Sequence, residues 1–108
     1  MRKYATVGGS RVLECDVTYP GSVFVQHIIT WRKQGLEAPI FTLFAGFTPH
    51  TDSTYHGRIR HVGQASIEIA DIRASDEGWY ECSILFLDKS DDPNLNGTWI
   101  YLAVNCTS

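Results

Sequence analysis

Apolar and polar residues alternate at period two in short runs along the chain, and each run closes on Gly, Pro, Asn or Asp. Few segments carry the three-to-four-residue spacing of a helix, so the pattern predicts an all-β chain. A short first strand is expected at residues 5–7, a turn at Gly8-Gly9-Ser10, and a strand over 11–18 whose Leu13, Cys15 and Val17 point one way. After Tyr19-Pro20-Gly21-Ser22, the run HIITWRK (27–33) puts Ile29 and Trp31 on a common face, and Gln34-Gly35 turns the chain. Residues 40–44 form another β-rich run, and 46–57, with Pro49, reads as irregular. Residues 58–62 then pair with 66–72 across Gly63-Gln64, with Ile67, Ile69 and Ile72 facing inward or capping the strand end. A last hairpin joins 79–87 to 98–105 through the loop DKSDDPNLNG. This makes about nine strands, with no internal repeat and no linker.

At 108 residues the expectation is one domain, spanning 1–108, around one core. A formal charge of −3 with scattered Lys and Arg gives no basic footprint, so nucleic acid is not an expected partner. Asp88, Asp91 and Asp92, interrupted by Lys89 and Ser90, read as a solvated loop. No run approaches the roughly 20 apolar residues that cross a bilayer. The opening MRKYATVGGS lacks the apolar stretch of a signal peptide. A membrane is therefore expected to enter only through a segment outside this chain. Asn96 and Asn105 head N-x-S/T sequons and are candidate glycosylation sites, which favours the secretory route. Three cysteines allow one bridge and leave one thiol over.

Catalysis finds no foothold. His27, His50, His56 and His61 form no H-x3-H or H-E-x-x-H pattern, and no carboxylate stands at ligand spacing. Ser10, Ser66 and Ser75 lack a nucleophile-elbow context. No catalytic residue, metal or cofactor is expected.

The stretch SDEGWYEC (75–82) sets a D-x-G turn, then a Tyr two residues before a Cys. With Cys15, and with Trp31 sixteen residues after it, this resembles the immunoglobulin superfamily over essentially the whole chain, in the form of a variable-type sandwich. The resemblance implies a bridge between Cys15 on strand B and Cys82 on strand F, with Trp31 of strand C packed on it. It also implies a tyrosine corner, in which the Tyr80 hydroxyl bonds to backbone near the E–F turn, and an Asp76 to Arg58 pair closing the bottom of the sandwich. Gly78 would relieve the backbone entering strand F. All these residues are structural and leave the partner open.

Other stretches go further. GWYECSILFLD (78–88), NGTWIYLAVN (96–105), APIF (38–41) and YHGR (55–58) resemble the membrane-distal domain of the Turtle and Borderless family, nearer its Borderless branch. The resemblance implies the extracellular part of a plasma-membrane protein, built of several immunoglobulin and fibronectin type III domains before a membrane span. It further implies adhesion among neurons or between neurons and glia, by binding itself and some family members. Cys106 departs from that pattern, standing where a short linker with Pro is expected: it is a free thiol, a terminal addition, or a bond to another domain or chain.

Period two then selects a binding face. With Trp31, Cys82 and Leu102 inward, the outer face of the GFCC′ sheet presents Thr30 and Arg32 on C, Trp79, Glu81, Ser83 and Leu85 on F, and Trp99, Tyr101 and Ala103 on G. Strand C′ adds either Phe41 with Leu43, or Ile40 with Phe44. So many large apolar side chains on one face fit a self-complementary contact about a two-fold axis, where Arg32 and Glu81 cross-pair as rim charges. The expected partner is a second copy or a related family member.

Other readings stand beside this one. Trp79 instead lies at the base of the sheet, Trp99 covers a sheet end and the C′ aromatics fold back into the core; or recognition runs through the F–G loop with Asp88, Asp91, Asp92 and Pro93; or the domain is a spacer. A glycan on Asn96, at the F–G tip, would leave the centre of the sheet open.

Overall fold

The computed structural model describes residues 1–15, 27–44, 47–63, 65–86 and 98–105. Within them lie nine strands: β1 (Arg2–Thr6), β2 (Arg11–Leu13), β3 (His27–Lys33), β4 (Phe41–Phe44), β5 (His50–Thr51), β6 (Ile59–Val62), β7 (Ser66–Ile69), β8 (Gly78–Phe86) and β9 (Thr98–Asn105). Two single 3-10 turns, Ser53–Tyr55 and Ala74–Asp76, complete the elements. The strands form two sheets, ordered β1-β9-β8-β3-β4-β5 and β2-β7-β6. This is a variable-type immunoglobulin sandwich, with β9, β8, β3 and β4 as G, F, C and C′.

Pairing follows the alternation. In β3, Ile29 and Trp31 turn into the core at 1 % and 0 % exposure, and from the facing sheet Leu13, Ile67 and Ile69 meet them at 0 %. Ile72, Ile100 and Leu102 are equally buried, and each such aliphatic side chain contributes about 1.5–3 kcal/mol by leaving water. The Trp31 indole N–H, which burial would otherwise orphan, donates to the Ala65 carbonyl at 2.8 Å. Cys15 and Cys82 bridge the sheets with their Cα atoms 6.3 Å apart.

Two segments depart from the hydrophobic pattern. The first strand spans Arg2–Thr6 and pairs parallel with β9, Arg2 opposite Tyr101 through Thr6 opposite Asn105. It is laid down by backbone bonds, including Tyr101 N–H to Met1 O at 2.9 Å and Val7 N–H to Asn105 O at 3.0 Å. RKYAT has only Ala5 to pack on the core, so hydrophobicity could not mark it. Gly8, at φ +87°, then carries the chain across to the other sheet, where its N–H bonds Ile72 O at 2.7 Å. The second departure lies in 46–57: its backbone is not wholly irregular, since β5 pairs with β4 and Asp52 caps the following turn through Thr54 N–H at 3.1 Å.

One end of the sandwich is closed by a buried polar cluster. Arg58 donates to Asp76 through Nη1 at 2.7 Å and Nη2 at 3.1 Å, and to the Thr54 and Asp71 carbonyls at 3.2 and 3.1 Å. Its guanidinium also lies 4.8 Å from the centre of the Tyr55 ring. The Tyr80 hydroxyl donates to the Asp76 carbonyl. That uses its only proton, so in the 3.0 Å contact between the two phenols Tyr55 is the donor. Burial pushes both phenols above their usual range, so they stay protonated donors.

Burial alone would raise the Asp76 carboxyl, but hydrogen bonds from the Arg58 side chain and the Arg73 N–H, with the Arg58 charge, hold it below the ordinary aspartate value of 3.8. Its contribution to stability is thus present above pH 3.8 and lost as pH falls through the lowered folded value. Urea titrations at decreasing pH should show unfolding free energy dropping below that point. In Asp76→Asn this part of the slope should be missing.

Candidate recognition surface

The outer face of the larger sheet is fixed by register, because residues directly opposite on paired strands share a face. Across β8 and β3 the outward pairs are Leu85 with Ile28, Ser83 with Thr30, and Glu81 with Arg32. Strand β4 extends two of these rows, Phe44 opposite Ile28 and Thr42 opposite Thr30. On the other flank, β9 sets Trp99 opposite Glu81 and Tyr101 opposite Trp79. Strand β1 adds Arg2 beside Tyr101 and Tyr4 beside Ala103.

Exposure separates the face into two apolar ends and a polar middle. Leu85 is 53 % exposed, with Ile28 and Phe44 half-buried beside it, and the Phe47 ring packs edge-on against Phe44 at 5.0 Å. At the other end Trp79 and Trp99 are 40 % and 47 % exposed. Their rings meet edge-to-face at 6.4 Å, and Trp79 meets Tyr101 at 5.3 Å. The Arg2 guanidinium sits 5.0 Å from the Tyr101 ring centre and 5.6 Å from that of Tyr4. Trp79 therefore stands as a ridge between two grooves, one lined by Met1, Arg2 and Tyr101, the other by Gln34 and Trp99. The middle carries the hydroxyls of Ser83, Thr30 and Thr42 and the charges of Glu81 and Arg32.

Gly78 takes a φ of +144° that favours glycine, and a Cβ there would stand 3.3 Å from Lys33 Nζ. The ammonium in turn lies 5.9 Å from the Tyr80 ring centre, linking the sheet end to the buried cluster.

Two of the residues chosen from sequence do not belong to this face. Phe41 is 2 % exposed and Leu43 packs against the core. Register forces this, since Phe41 lies opposite Trp31 and Leu43 opposite Ile29, both inward. The Phe41 ring stacks at 6.5 Å with His61 of the other sheet. Ile40 is also fully buried, so of the four C′ candidates only Phe44 faces out. Thr30, Arg32, Glu81, Ser83, Leu85, Trp99 and Tyr101 lie together on the face. Ile28, Thr42, Arg2 and Tyr4 join them without having been selected. Ile28 was recoverable by counting three back from Trp31. Thr42 goes at period two with the Ile40 and Phe44 alternative, lying between the inward Phe41 and Leu43.

Asn105 ends β9 in an exposed position. Asn96, Cys106 and the F–G loop acids lie outside the described residues. Among the described residues, no group of three or more His, Cys, Asp or Glu is placed to hold a metal ion, and no helix is long and apolar enough to cross a membrane.

Known proteins resemble this chain in sequence. Human Protein turtle homolog A is 41 % identical over 100 residues, and human Protein turtle homolog B 39 % over 102, covering 91 % and 94 % of this chain. Protein borderless of Drosophila melanogaster is 33 % identical over 106 residues, covering 93 %. The similarity therefore runs to Turtle and Borderless proteins as a group, without the expected lean to the Borderless branch. The chain spans only 8 % of the length of the Turtle homologues and 14 % of Borderless.

Among solved structures, the V domain of amphioxus IgVJ-C2 superposes with a TM-score of 0.75 at 25 % identity, covering 94 % of this chain and 98 % of that one. The extracellular domain of the voltage-gated sodium channel β4 subunit, described as forming parallel homodimers with a role in cell–cell adhesion, does so at 0.72 and 22 %, covering 100 % and 92 %. The family model described as "Immunoglobulin V-set domain" matches residues 4–103, and with the two-sheet topology and the Cys15–Cys82 bridge this places the chain in the immunoglobulin V-set family.

Proposed function

We propose that this is a cell-surface recognition domain that binds a second copy of itself through the outer face of β1-β9-β8-β3-β4-β5. The observation that carries the reading is the exposure of Trp79, Leu85 and Trp99 on one strand-paired face. Exposed clusters of large apolar side chains are what partner contacts cover, and Trp and Tyr are the residues that dominate such contacts. The similarity to Turtle and Borderless proteins supports placing the domain at the membrane-distal end of a longer receptor, outside the cell. A related family member with similar rows would fit the same face. A contact of roughly 1,200–1,600 Å² is in the range one sheet face can bury. Modest affinity suffices where many copies meet at a cell contact.

Leu85→Asp tests the reading, because it puts a charge at an apolar end of the face without touching the core. Self-association should weaken by about tenfold or more, since an unpaired charge must then be desolvated on binding. Thermal melting of the same variant should stay near wild type. An association constant unchanged by Leu85→Asp would move the contact off this face.

A further inference from the structure

The two central strands of the face carry an order that says how two copies meet. Reading β8 against β3, each outward row holds a chemically matched pair: Leu85 and Ile28 are both apolar, Ser83 and Thr30 are both hydroxylic, and Glu81 and Arg32 are opposite in charge. Within one chain these are cross-strand neighbours. From this ladder we infer that the two-fold axis of the self-complex runs along the strands between β8 and β3, so that two copies pack face to face and parallel. The inference rests on the self-recognition reading above and adds its geometry.

The reason is symmetry. A two-fold axis lying in the contact plane along β8 and β3 exchanges the two strands, so every residue of β8 in one copy faces its own register partner on β3 of the other. Leu85 then covers the partner copy's Ile28, Ser83 meets Thr30, and Glu81 meets Arg32, each twice. Gln34, whose N–H bonds the Trp79 carbonyl at 2.9 Å, closes the ladder at the aromatic end. The groove lined by Gln34, Trp79 and Trp99 lies beside the axis there.

An axis laid across the strands does worse. Drawn through the Glu81 and Arg32 row, it sets like charge on like, which repels. Drawn one residue away, it sets Glu81 on Ser83 and Arg32 on Thr30 and leaves no opposite charges in contact. Packed sheets lie about 10 Å apart, a gap that an Arg and a Glu side chain reaching toward each other span. Their twist turns the strands by about 30° without breaking the row order. In the parallel form both β9 strands run the same way, which is the arrangement of neighbours on one cell surface.

Exchange of charges tests this directly. Arg32→Glu alone faces Glu81 of the partner copy with like charge, and Glu81→Arg alone does the same with two cations. Each variant should lose self-association by about tenfold or more while melting near the wild-type temperature, because both side chains lie on the solvent face. Mixed in equal amounts, the two variants should form a heterodimer close to wild-type strength. The carboxylate introduced in one then meets the guanidinium introduced in the other, and the native Glu81 of the first meets the native Arg32 of the second. Orientation is read separately in a Cys106→Ser background, with one nitroxide at Glu37→Cys in the exposed turn beyond β3. Parallel copies bring the two labels to the same end, and pulsed spin–spin distances should be short.

If wild type associates but the mixture does no better than its components, or the labels sit at opposite ends, the inferred geometry is overturned and the self-recognition reading stands. If wild type stays monomeric, that reading falls and the geometry falls with it.

Discussion

Arg58→Ala is expected to remove about 3–5 kcal/mol of folding free energy, because it leaves a buried carboxylate without its cation. Asp76 is 1 % exposed, and without the guanidinium the Arg73 N–H is left to solvate its carboxylate. The loss extends beyond the pair. Arg58 also ties down the carbonyls of Thr54 and Asp71, and Asp71 holds a left-handed φ of +48° that a non-glycine residue adopts only when its surroundings enforce it. For a domain whose total stability is about 5–15 kcal/mol, that loss is a large share of the whole. Arg58→Lys should recover only part, since one ammonium cannot reproduce a two-point grip on Asp76. The double change Arg58→Met with Asp76→Leu should cost less than Arg58→Ala, because it buries no orphaned charge. Chemical denaturation of the three variants checks the ranking. A loss below about 1 kcal/mol for Arg58→Ala would mean the pair behaves as an exposed one.

Replacing Cys15 and Cys82 together by Ala is expected to cost a similar amount, about 4 kcal/mol for a bridge closing a loop of this length. The bridge separates residues 67 apart in sequence, so in the loop-entropy view its main effect is on the unfolded chain. A second contribution comes from the folded side: both cysteines are core residues in the same cluster as Trp31. Unfolding wild type in denaturant with and without reductant separates the two. A reduced wild type as unstable as the double variant would assign the loss to the bond, and a more stable one would assign the difference to the thiols' packing.

The sequence made the frame of this molecule readable because its core residues announce themselves twice, by period and by chemistry. HIITWRK and GWYECSILF alternate strongly around a Trp, a Tyr and a Cys, and β3 and β8 match those runs to within a residue or so. Signal failed where pairing is made by backbone alone. Strand β1 is polar and is held by bonds to β9 that leave no mark in RKYAT.

The face was legible on the central strands for the same reason as the core, one residue's direction fixing its neighbours'. It was not legible on β4, where Phe41, Leu43 and Phe44 are alike in hydrophobicity and only the register with β3 says which of them turn inward. The two-end division of the face was equally hidden, since it depends on which strands stand side by side and not on any one segment.

Whether this outer face binds itself is tested most directly by sedimentation equilibrium of the oxidised domain carrying Cys106→Ser, from micromolar to near-millimolar concentration. The predicted result is a reversible monomer–dimer equilibrium that Leu85→Asp shifts to monomer. A single monomeric species across the whole range would contradict it.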